Sequence, residues 1–252
     1  MLNYGAVIIS HNHLQELESS NLLTLADEIF RCVVVVDNMS CPDLKSICAN
    51  KGIIYLANEE RKGFSANANL GAKTLFREFD VNGVAFINPD VEIVAFDSEK
   101  FFQKEGLPPI CMPRVVDKSN NPVDVSRSYP SLTKIIMKVF SLVLKTHHSE
   151  KVSETDFRWM PGFFLIADKT SFDDCGGFDE GYRLYLEDAD IACSLWMCGY
   201  QPEVLGCMTI KHEGGFLSRK ILSKAFWWHI CSYARFWSKW GYFKFRGTDA
   251  RS

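Results

Sequence analysis

The sequence has no C-x-x-C pair, although nine of its 252 residues are cysteine. Without such a pair we predict neither a zinc module nor a disulfide framework, and we expect reduced thiols in a cytosolic protein. The N-terminus lacks a basic stretch followed by an apolar run, so no secretory signal is predicted. The longest apolar region, 132–144, contains Lys134 and Lys138 and is too short to span a bilayer, so we predict no transmembrane helix.

Two phosphate-binding patterns are also missing. No Gly-Lys-Ser or Gly-Lys-Thr closes a Walker loop, and no G-x-G-x-x-G follows a strand. The sequence has no internal repeat and no low-complexity segment. With 47% hydrophobic residues, it can bury a full core as one large domain, or as one domain with an appendage.

Charge is distributed unevenly along the chain. The net charge is −3, but residues 211–252 contain nine Lys/Arg against two acidic residues, a balance of +7 that leaves −10 for the rest. Ten aromatic residues between 226 and 245 interleave with these cations. Aromatic and basic residues on one helix suit the headgroup boundary of a membrane, and we predict that the tail binds such a surface. Packing of these aromatics on the body of the protein or on a second subunit is the alternative.

The first half of the chain alternates apolar runs with helical patterns. Strands are predicted at 6–9, 32–36, 53–56 and 84–87, and helices at 14–30, 43–50 and 65–78. Continuous apolar strands joined by helices are typical of a parallel sheet covered on both faces, with ligands at the carboxyl ends of the strands. We therefore predict an α/β fold whose first half holds a nucleotide.

The second half is less regular. We predict a strand at 110–116, a basic amphipathic helix at 132–145 and a mobile loop at 146–155. Strand character returns at 159–166, a helix is predicted at 187–198, and one or two strands are predicted at 202–210.

Two segments in the first half could contact a nucleotide. Asp37 and Asn38 directly follow the strand at 32–36, where a carboxylate can accept hydrogen bonds from a base or ribose. An Asx-turn leading into the next helix is the alternative. Small residues from Gly63 to Asn67 start a helix whose free amides could face phosphate, and close packing of that helix on the sheet is the alternative there.

Two acidic clusters carry the chemistry. Asp90 follows a strand and a proline, as a ligand of a hard metal ion should, and His212 could supply an imidazole to the same metal. About a hundred residues later, Glu187 and Asp188 could deprotonate an acceptor hydroxyl. Taken singly, each cluster is more often a cap or a solvated loop.

The clusters belong to an ordered set of motifs. These are VIISHN at 7–12, VVVDNMS at 34–40, GF at 63–64 with Asn67 and Gly71, INPD at 87–90, GFFLI at 162–166, GFDE at 177–180, YLEDAD at 185–190 and His212. The set resembles the family 2 glycosyltransferases, and most closely their bacterial rhamnosyltransferase-like branch. The resemblance covers roughly residues 5–215.

The resemblance implies a GT-A fold, a nucleotide-diphosphate sugar donor, a Mn²⁺ or Mg²⁺ ion, and inversion at the anomeric carbon. By position, Asp188 matches the catalytic base with Glu187 beside it, and Asp90 and His212 match the metal site. The implied nucleotide-binding residues are Ser10, Asn12, Asp37, Asn38, Gly63, Phe64, Asn67 and Asn88. The implied acceptor-binding residues are Gly162, Tyr185 and Asp190.

Two positions depart from the family pattern. The metal motif D-x-D is reduced to one carboxylate, Asp90, so the metal would also depend on His212 and on the diphosphate. Many relatives have an arginine shortly after the acidic pair, where this chain has Ser194 and Leu195.

We therefore predict an inverting glycosyltransferase that moves rhamnose from dTDP-rhamnose to a hydroxyl of a lipid-linked surface glycan. Use of a UDP-hexose or UDP-N-acetylhexosamine, a metal-dependent nucleotidyltransferase, and a non-catalytic binding module are the alternatives. The first strand is not followed by the Gly-rich basic loop of nucleotidyltransferases, and the intact acidic pair favours catalysis over binding alone.

The expected organisation is a catalytic domain at 1–215 and a helical tail at 216–252. Within the domain, residues 1–90 form the nucleotide-binding half and 91–215 the acceptor-binding half. We expect a cytoplasmic protein at the inner face of the cell membrane. No nucleic-acid partner is predicted, and a homo-oligomer is left open.

Overall fold

The computed structural model describes residues 2–103, 107–130, 157–212 and 224–241. The predicted helix at 132–145 and the predicted loop at 146–155 lie outside these residues. The described strands are Leu2–Ser10 (β1), Phe30–Asp37 (β2), Ile54–Ala57 (β3), Gly83–Ile87 (β4), Val91–Phe96 (β5), Ile110–Val116 (β6), Arg127–Ser128 (β7), Arg158–Trp159 (β8), Phe164–Asp168 (β9) and Glu203–His212 (β10). The described helices are Leu14–Ser19 (α1), Leu22–Ile29 (α2), Pro42–Lys51 (α3), Phe64–Glu78 (α4), Ser98–Gln103 (α5), Lys169–Asp174 (α6), Glu187–Met197 (α7) and Lys224–Trp240 (α8).

Eight of the strands form one sheet in the order β3, β2, β1, β4, β9, β6, β10, β5. Strands β1 to β4 are parallel, as are β6 and β10, whereas β9 and β5 are antiparallel to their neighbours. Strands β7 and β8 form a separate pair. The predicted α/β fold, with a mostly parallel sheet flanked by helices, is confirmed.

Strand β1 shows why its apolar run is continuous. Ala6 and Ile8 belong to one buried cluster, while Val7 and Ile9 belong to a second. Since successive side chains point to opposite faces, a strand buried on both sides needs apolar residues throughout. In α4, a Cβ on Gly71 would lie 2.4 Å from Cγ1 of Val7, so glycine allows this helix to lie close against β1.

The structure differs from the predicted elements in three places. The predicted helix at 14–30 is two helices, because the chain is extended at Ser20 and the second helix begins after Asn21. Serine and asparagine side chains hydrogen-bond nearby backbone groups and so disfavour helix interiors. The predicted strand at 159–166 is interrupted at 160–163, where Pro161 has no N–H to donate. Elements β5, α5 and α6 occupy segments for which no element was predicted.

Helix α8 contains part of the predicted membrane-binding tail, and its carboxyl half packs on the body of the protein. Phe236 and Trp240 are buried in a third cluster that includes Tyr182 and Leu186. For this half of the helix the structure therefore shows the alternative to membrane contact. Near its start, Trp227 is 55% exposed. Among the described residues, no helix combines the length and the apolarity that crossing a bilayer requires.

Candidate active site

The carboxyl ends of β1, β2 and β4 meet at one edge of the sheet. Ser10 at the end of β1 pairs with Asp37 at the end of β2, and β4 lies on the other side of β1. Ser10 is buried, whereas Asn12 is exposed and adopts a left-handed φ of 65°. Asn88 follows β4 directly. The structure thus brings four of the predicted nucleotide-binding residues to the edge where α/β sheets bind ligands.

Asp37 does not have the surroundings of a ligand-binding residue. It is fully buried, and its Oδ1 accepts the Met39 N–H at 2.9 Å. Its Oδ2 accepts the Cys41 N–H at 2.6 Å and the Tyr55 hydroxyl at 2.7 Å. These contacts form an Asx-type turn that shapes the loop before α3, and the nucleoside contact of Asp37 stays a prediction.

Asn38 and Asn67 are linked through a residue that sequence reasoning missed, Asn58. Asn58 donates to Oδ1 of Asn38 at 3.0 Å and to Oδ1 of Asn67 at 2.5 Å, and all three are buried. Asn38 also bonds both backbone groups of Lys62. These amides join the ends of β2 and β3 to α4 in a structural network, and the nucleotide contacts of Asn38 and Asn67 stay predictions. An asparagine directly after β3 was the available signal.

The start of α4 is closely packed. A Cβ on Gly63 would lie 2.9 Å from backbone atoms of Tyr182 and Arg183, and the Phe64 N–H donates to the Arg183 carbonyl at 3.1 Å. The Phe64 ring meets Phe178 edge-on at 5.8 Å. The structure thus shows the close helix packing considered from the sequence, and the phosphate contact at Gly63 and Phe64 stays a prediction.

Two arginine side chains act electrostatically on this edge of the sheet. Burial, followed by the charges of Arg61 and His13, lowers the pKa of His11, and the charge of Arg183 acts in the same direction. His13 in turn helps to lower the pKa of Asp90. Arg61 and Arg183 are exposed. This set suits an anionic ligand such as a diphosphate, and single basic residues in loops offered no signal by which the sequence could have identified it.

Asp90 and His212 lie together, as predicted. His212 Nε2 is 3.2 Å from Asp90 Oδ2 because His212, the last residue of β10, pairs with Val91, the first residue of β5. The imidazole stacks on Phe163 with ring centroids 4.2 Å apart. Burial raises the pKa of Asp90, but the hydrogen bond and charge of His212 outweigh it, so the pKa is lowered. The carboxylate is thus ionised at neutral pH.

This pair fits a shared divalent metal. A separation of 3.2 Å is close to the roughly 3 Å between adjacent ligands of an octahedral ion with ligand distances of about 2.1 Å. Across the described ranges, no group of three His, Cys, Asp or Glu side chains is arranged to hold a metal. Two protein ligands would leave the other positions to a diphosphate and water, which is how Mg²⁺ and similar ions bind with substrate phosphates.

The acidic pair opens helix α7. Asp188 accepts the Gly162 N–H at Oδ2, at 3.0 Å, and the Ala189 N–H at Oδ1, at 2.9 Å. A Cβ on Gly162 would lie 3.1 Å from the Asp188 Cβ, so Gly162, predicted to bind the acceptor, lies directly against the predicted base. Glu187 is 8% exposed, and no described residue bonds its buried Oε2.

The two carboxyl groups have different electrostatic surroundings. Burial and then the charge of Asp188 raise the pKa of Glu187 from 4.5 to about 8. Burial also raises the pKa of Asp188, but two backbone N–H groups and Arg127 favour its anion. When two carboxyl groups lie close together, the one with more hydrogen-bond donors is the more stable anion. The two backbone donors of Asp188 and the raised pKa of Glu187 therefore favour Asp188 as the base.

The pKa of Glu187 predicts a pH-dependent stability. Between about pH 4.5 and pH 8 the folded protein binds more protons at this site than the unfolded chain, so the free energy of unfolding falls as pH rises. Glu187→Gln should remove this fall. We expect the variant to have a Tm about 5 °C above wild type at pH 8.5, and little difference at pH 5.

Thermal unfolding at both pH values measures this effect. The exposed Glu203 provides the matched control, because Glu203→Gln should leave the difference between the two pH values unchanged. An equal shift of the Glu187→Gln variant at both pH values would contradict the raised pKa.

Two consecutive residues connect the metal pair to the acidic pair. Gly162 donates its N–H to Asp188, and the Phe163 carbonyl accepts the Asn88 N–H at 2.8 Å. The Phe163 ring also supports the His212 imidazole. The predicted base and the predicted metal ligands are therefore held by one short segment between β8 and β9.

Asp190 anchors α7 to α8. It is 1% exposed, and its carboxylate accepts hydrogen bonds from the Tyr182 hydroxyl at 3.0 Å, Lys239 Nζ at 2.8 Å and Trp240 Nε1 at 2.7 Å. Its acceptor-binding role stays a prediction.

Tyr185 lies beside the base helix and is half-buried. Its ring stacks on His229 of α8, with centroids 4.6 Å apart and an interplanar angle of 22°. Its acceptor-binding role stays a prediction.

Comparison with known proteins gives relatives over most of the chain. No family model matches the sequence. The rhamnosyltransferase WbbL of Escherichia coli (strain K12) is 27% identical over 241 residues, which are 91% of this chain and 90% of that protein. The low-salt glycan biosynthesis hexosyltransferase Agl10 of Haloferax volcanii is 25% identical over 186 residues, covering 73% of this chain and 59% of that protein.

Among solved structures, the chain is similar to GalNAc-T7, crystallised with UDP, GalNAc and Mn²⁺. The TM-score is 0.56 at 15% identity, over 84% of this chain. The match covers 44% of GalNAc-T7, so this chain corresponds to less than half of that protein. At this level of identity the likeness shows the fold, which is GT-A.

Proposed function

We propose a specific reaction for this chain, which is a glycosyltransferase with the GT-A fold and resembles the rhamnosyltransferase-like branch of family 2. It transfers rhamnose from dTDP-rhamnose to a hydroxyl of a lipid-linked surface glycan, with inversion. The observation that carries the proposal is the segment Gly162-Phe163, which holds Asp188 on one side and His212, with its neighbour Asp90, on the other. A single displacement at the anomeric carbon needs a base and a diphosphate-binding pair close together, and this segment holds both.

In this reaction Asp188 accepts the proton of the acceptor hydroxyl. The acceptor oxygen bonds to the anomeric carbon from the face opposite the diphosphate, and the bond from that carbon to the diphosphate oxygen breaks. The nucleoside diphosphate leaves with the electron pair, so the configuration is inverted and no enzyme nucleophile is used. Asp90 and His212 would hold Mn²⁺ or Mg²⁺, which when bound neutralises charge on the leaving diphosphate. Arg61 and Arg183 add positive charge on the same side.

The choice of rhamnose rests on WbbL, a rhamnosyltransferase similar to this chain over nine-tenths of both lengths. The same-fold alternative is a UDP-hexose or UDP-N-acetylhexosamine donor. It is favoured by the names of Agl10, a hexosyltransferase, and of the GalNAc-T7 complex, which contains UDP and GalNAc. An imidazole ligand suits a transition metal better than Mg²⁺, so of the two ions we propose Mn²⁺.

A panel of nucleotide sugars, each with and without Mn²⁺, tests the donor. We expect binding and slow hydrolysis of dTDP-rhamnose, with transfer when a glycan acceptor is added. Asp188→Asn is the control for contaminating activity. A clear preference for a UDP-sugar would select the alternative donor, and the absence of any nucleotide-sugar binding would contradict the whole proposal.

The lipid-linked acceptor and a membrane-surface location are further parts of the proposal. Trp227 and Ile230, near the start of α8, are 55% and 42% exposed and could meet the headgroup boundary. Presenting the acceptor in anionic vesicles and in soluble form within the same panel tests both parts. Equal transfer to both forms, unaffected by salt, would remove the membrane from the proposal.

A further inference from the structure

The turn immediately before the acidic pair has an unusual backbone. Tyr185 and Leu186 both have left-handed φ angles, of 72° and 65°. Residues other than glycine seldom adopt this conformation, and it persists only where surrounding contacts enforce it. Glu187 and Asp188 follow directly, so the direction of the Asp188 carboxylate depends on whatever holds this turn.

Helix α8 contacts each residue of the turn. Ser232 Oγ donates to the Leu184 carbonyl at 2.8 Å, and the His229 ring stacks on Tyr185 at 4.6 Å. Leu186 is buried in the same cluster as Phe236 and Trp240 of α8. A helix 40 to 50 residues further along the chain therefore supplies contacts that enforce the left-handed turn.

Helix α8 also holds the chain on the other side of the acidic pair. Asp190, two residues after Asp188, is bonded to Lys239 and Trp240. A buried carboxylate stays bonded to its donors because an unpaired charge in the interior costs free energy. Before the turn, Arg235 forms a bidentate contact with Asp179: Nη2 donates to Oδ1 at 2.7 Å and Nε donates to Oδ2 at 3.2 Å. Segment 179–190 is thus pinned by α8 at both ends and in the middle.

We propose that α8 is a positioning element of the active site, in which Lys239 and Trp240 act through Asp190 to fix the orientation of Asp188. The proposal rests on the assignment of Asp188 as the base of the proposed reaction. It places α8 in one functional unit with the catalytic domain, although the sequence suggested a boundary near residue 215. Small errors in the position of a catalytic group cost up to about a hundredfold in rate, so such a support is catalytically relevant.

Two substitutions test the proposal with little change of shape. Trp240→Phe keeps a buried ring and removes the Nε1 donor, and Lys239→Met keeps the aliphatic stem and removes the charge. For each we expect kcat to fall about tenfold while KM for the donor stays within about twofold, because the donor residues at the ends of β1 and β4 lie on other elements and Arg183 stacks on Trp228 rather than on Lys239 or Trp240. Ser238→Ala is the matched control: Ser238 is exposed on the same helix, and among the described residues its hydroxyl bonds the Arg235 carbonyl of its own helix. It should leave kcat unchanged, and Lys239→Arg should restore most of the lost rate.

Hydrogen exchange provides a readout that needs no substrate. In both variants we expect faster exchange of the amides of 184–190, which include the Asp190 N–H bonded to Leu186, with unchanged exchange in β1. If the wild type turns over no nucleotide sugar, the proposed function fails, but faster exchange would still establish that α8 holds the turn. Wild-type kcat together with wild-type exchange in both variants would overturn the proposal. The proposal would also be overturned if the loss of kcat in each variant only matched its loss of Tm, and if kcat recovered fully when the assay was cooled.

Discussion

Asp188→Asn should reduce kcat at least about a hundredfold while donor affinity stays within about twofold. The amide keeps the size of the carboxylate but cannot accept a proton from the acceptor hydroxyl. The donor is expected to bind at the edge formed by β1, β2 and β4, whereas Asp188 is held at the start of α7 by the N–H groups of Gly162 and Ala189. Steady-state kinetics, with direct titration of the nucleotide diphosphate, separates the two effects.

Glu187→Gln is the matched control for this substitution. Burial and the charge of Asp188 raise the pKa of Glu187 to about 8, so the glutamine resembles the protonated side chain that predominates at pH 7. We expect this variant to keep kcat within about tenfold of wild type at neutral pH. If Glu187→Gln were inactive and Asp188→Asn active, the base would have to be reassigned to Glu187. Circular dichroism should show both variants folded, since the oxygen of the amide that replaces the Asp188 carboxylate can still accept one of the two N–H bonds.

Asp90→Ala should abolish the metal-dependent part of donor binding. Asp90 and His212 form the proposed metal pair, and within the described ranges there is no third His, Cys, Asp or Glu grouped with them to compensate. We expect affinity for the nucleotide diphosphate in Mn²⁺ to fall about a hundredfold for Asp90→Ala, to the level that the wild type shows in chelator. Calorimetric titration with and without Mn²⁺ measures both values.

The neighbouring Glu92 offers a matched carboxylate control. It is exposed on β5, two residues from Asp90, and Glu92→Ala should bind the nucleotide diphosphate as wild type does. His212→Ala should have a smaller effect, about tenfold, because it removes one ligand and leaves the ionised carboxylate. Full wild-type turnover in excess chelator would rule out the metal role of Asp90.

The strand predictions succeeded where burial alone determines the residue type. Residues 32–36 lie in β2, an apolar run in a strand covered on both faces, and 110–116 form β6, which is buried except at Arg114. Helix ends and interruptions were less predictable. Ser20 interrupts the helical pattern, where its hydroxyl accepts the Leu22 N–H, and Pro161 interrupts the strand pattern because it has no N–H to donate.

The site, too, was only partly predictable from the sequence. Asp90 with His212, and Glu187 with Asp188, were identified as pairs in the sequence and are neighbours in the structure. Asp37, Asn38 and Asn67 were expected at a nucleotide, but they are buried and bonded to protein groups. A residue's place at the end of a strand follows from its neighbours in sequence. Whether its side chain turns towards ligand or towards backbone depends on groups from other loops.

The amino-acid sequence was sufficient for the α/β class, the succession of strand and helix units in the first half, and the residue types of both acidic clusters, because these follow from local periodicity and chemistry. The tertiary structure decided what α8 contacts. An aromatic, basic helix has the same pattern whether lipid or protein covers its apolar face. Its bonds to Asp190 span 49 and 50 residues, and such long-range contacts arise only when the complete fold brings both surfaces together.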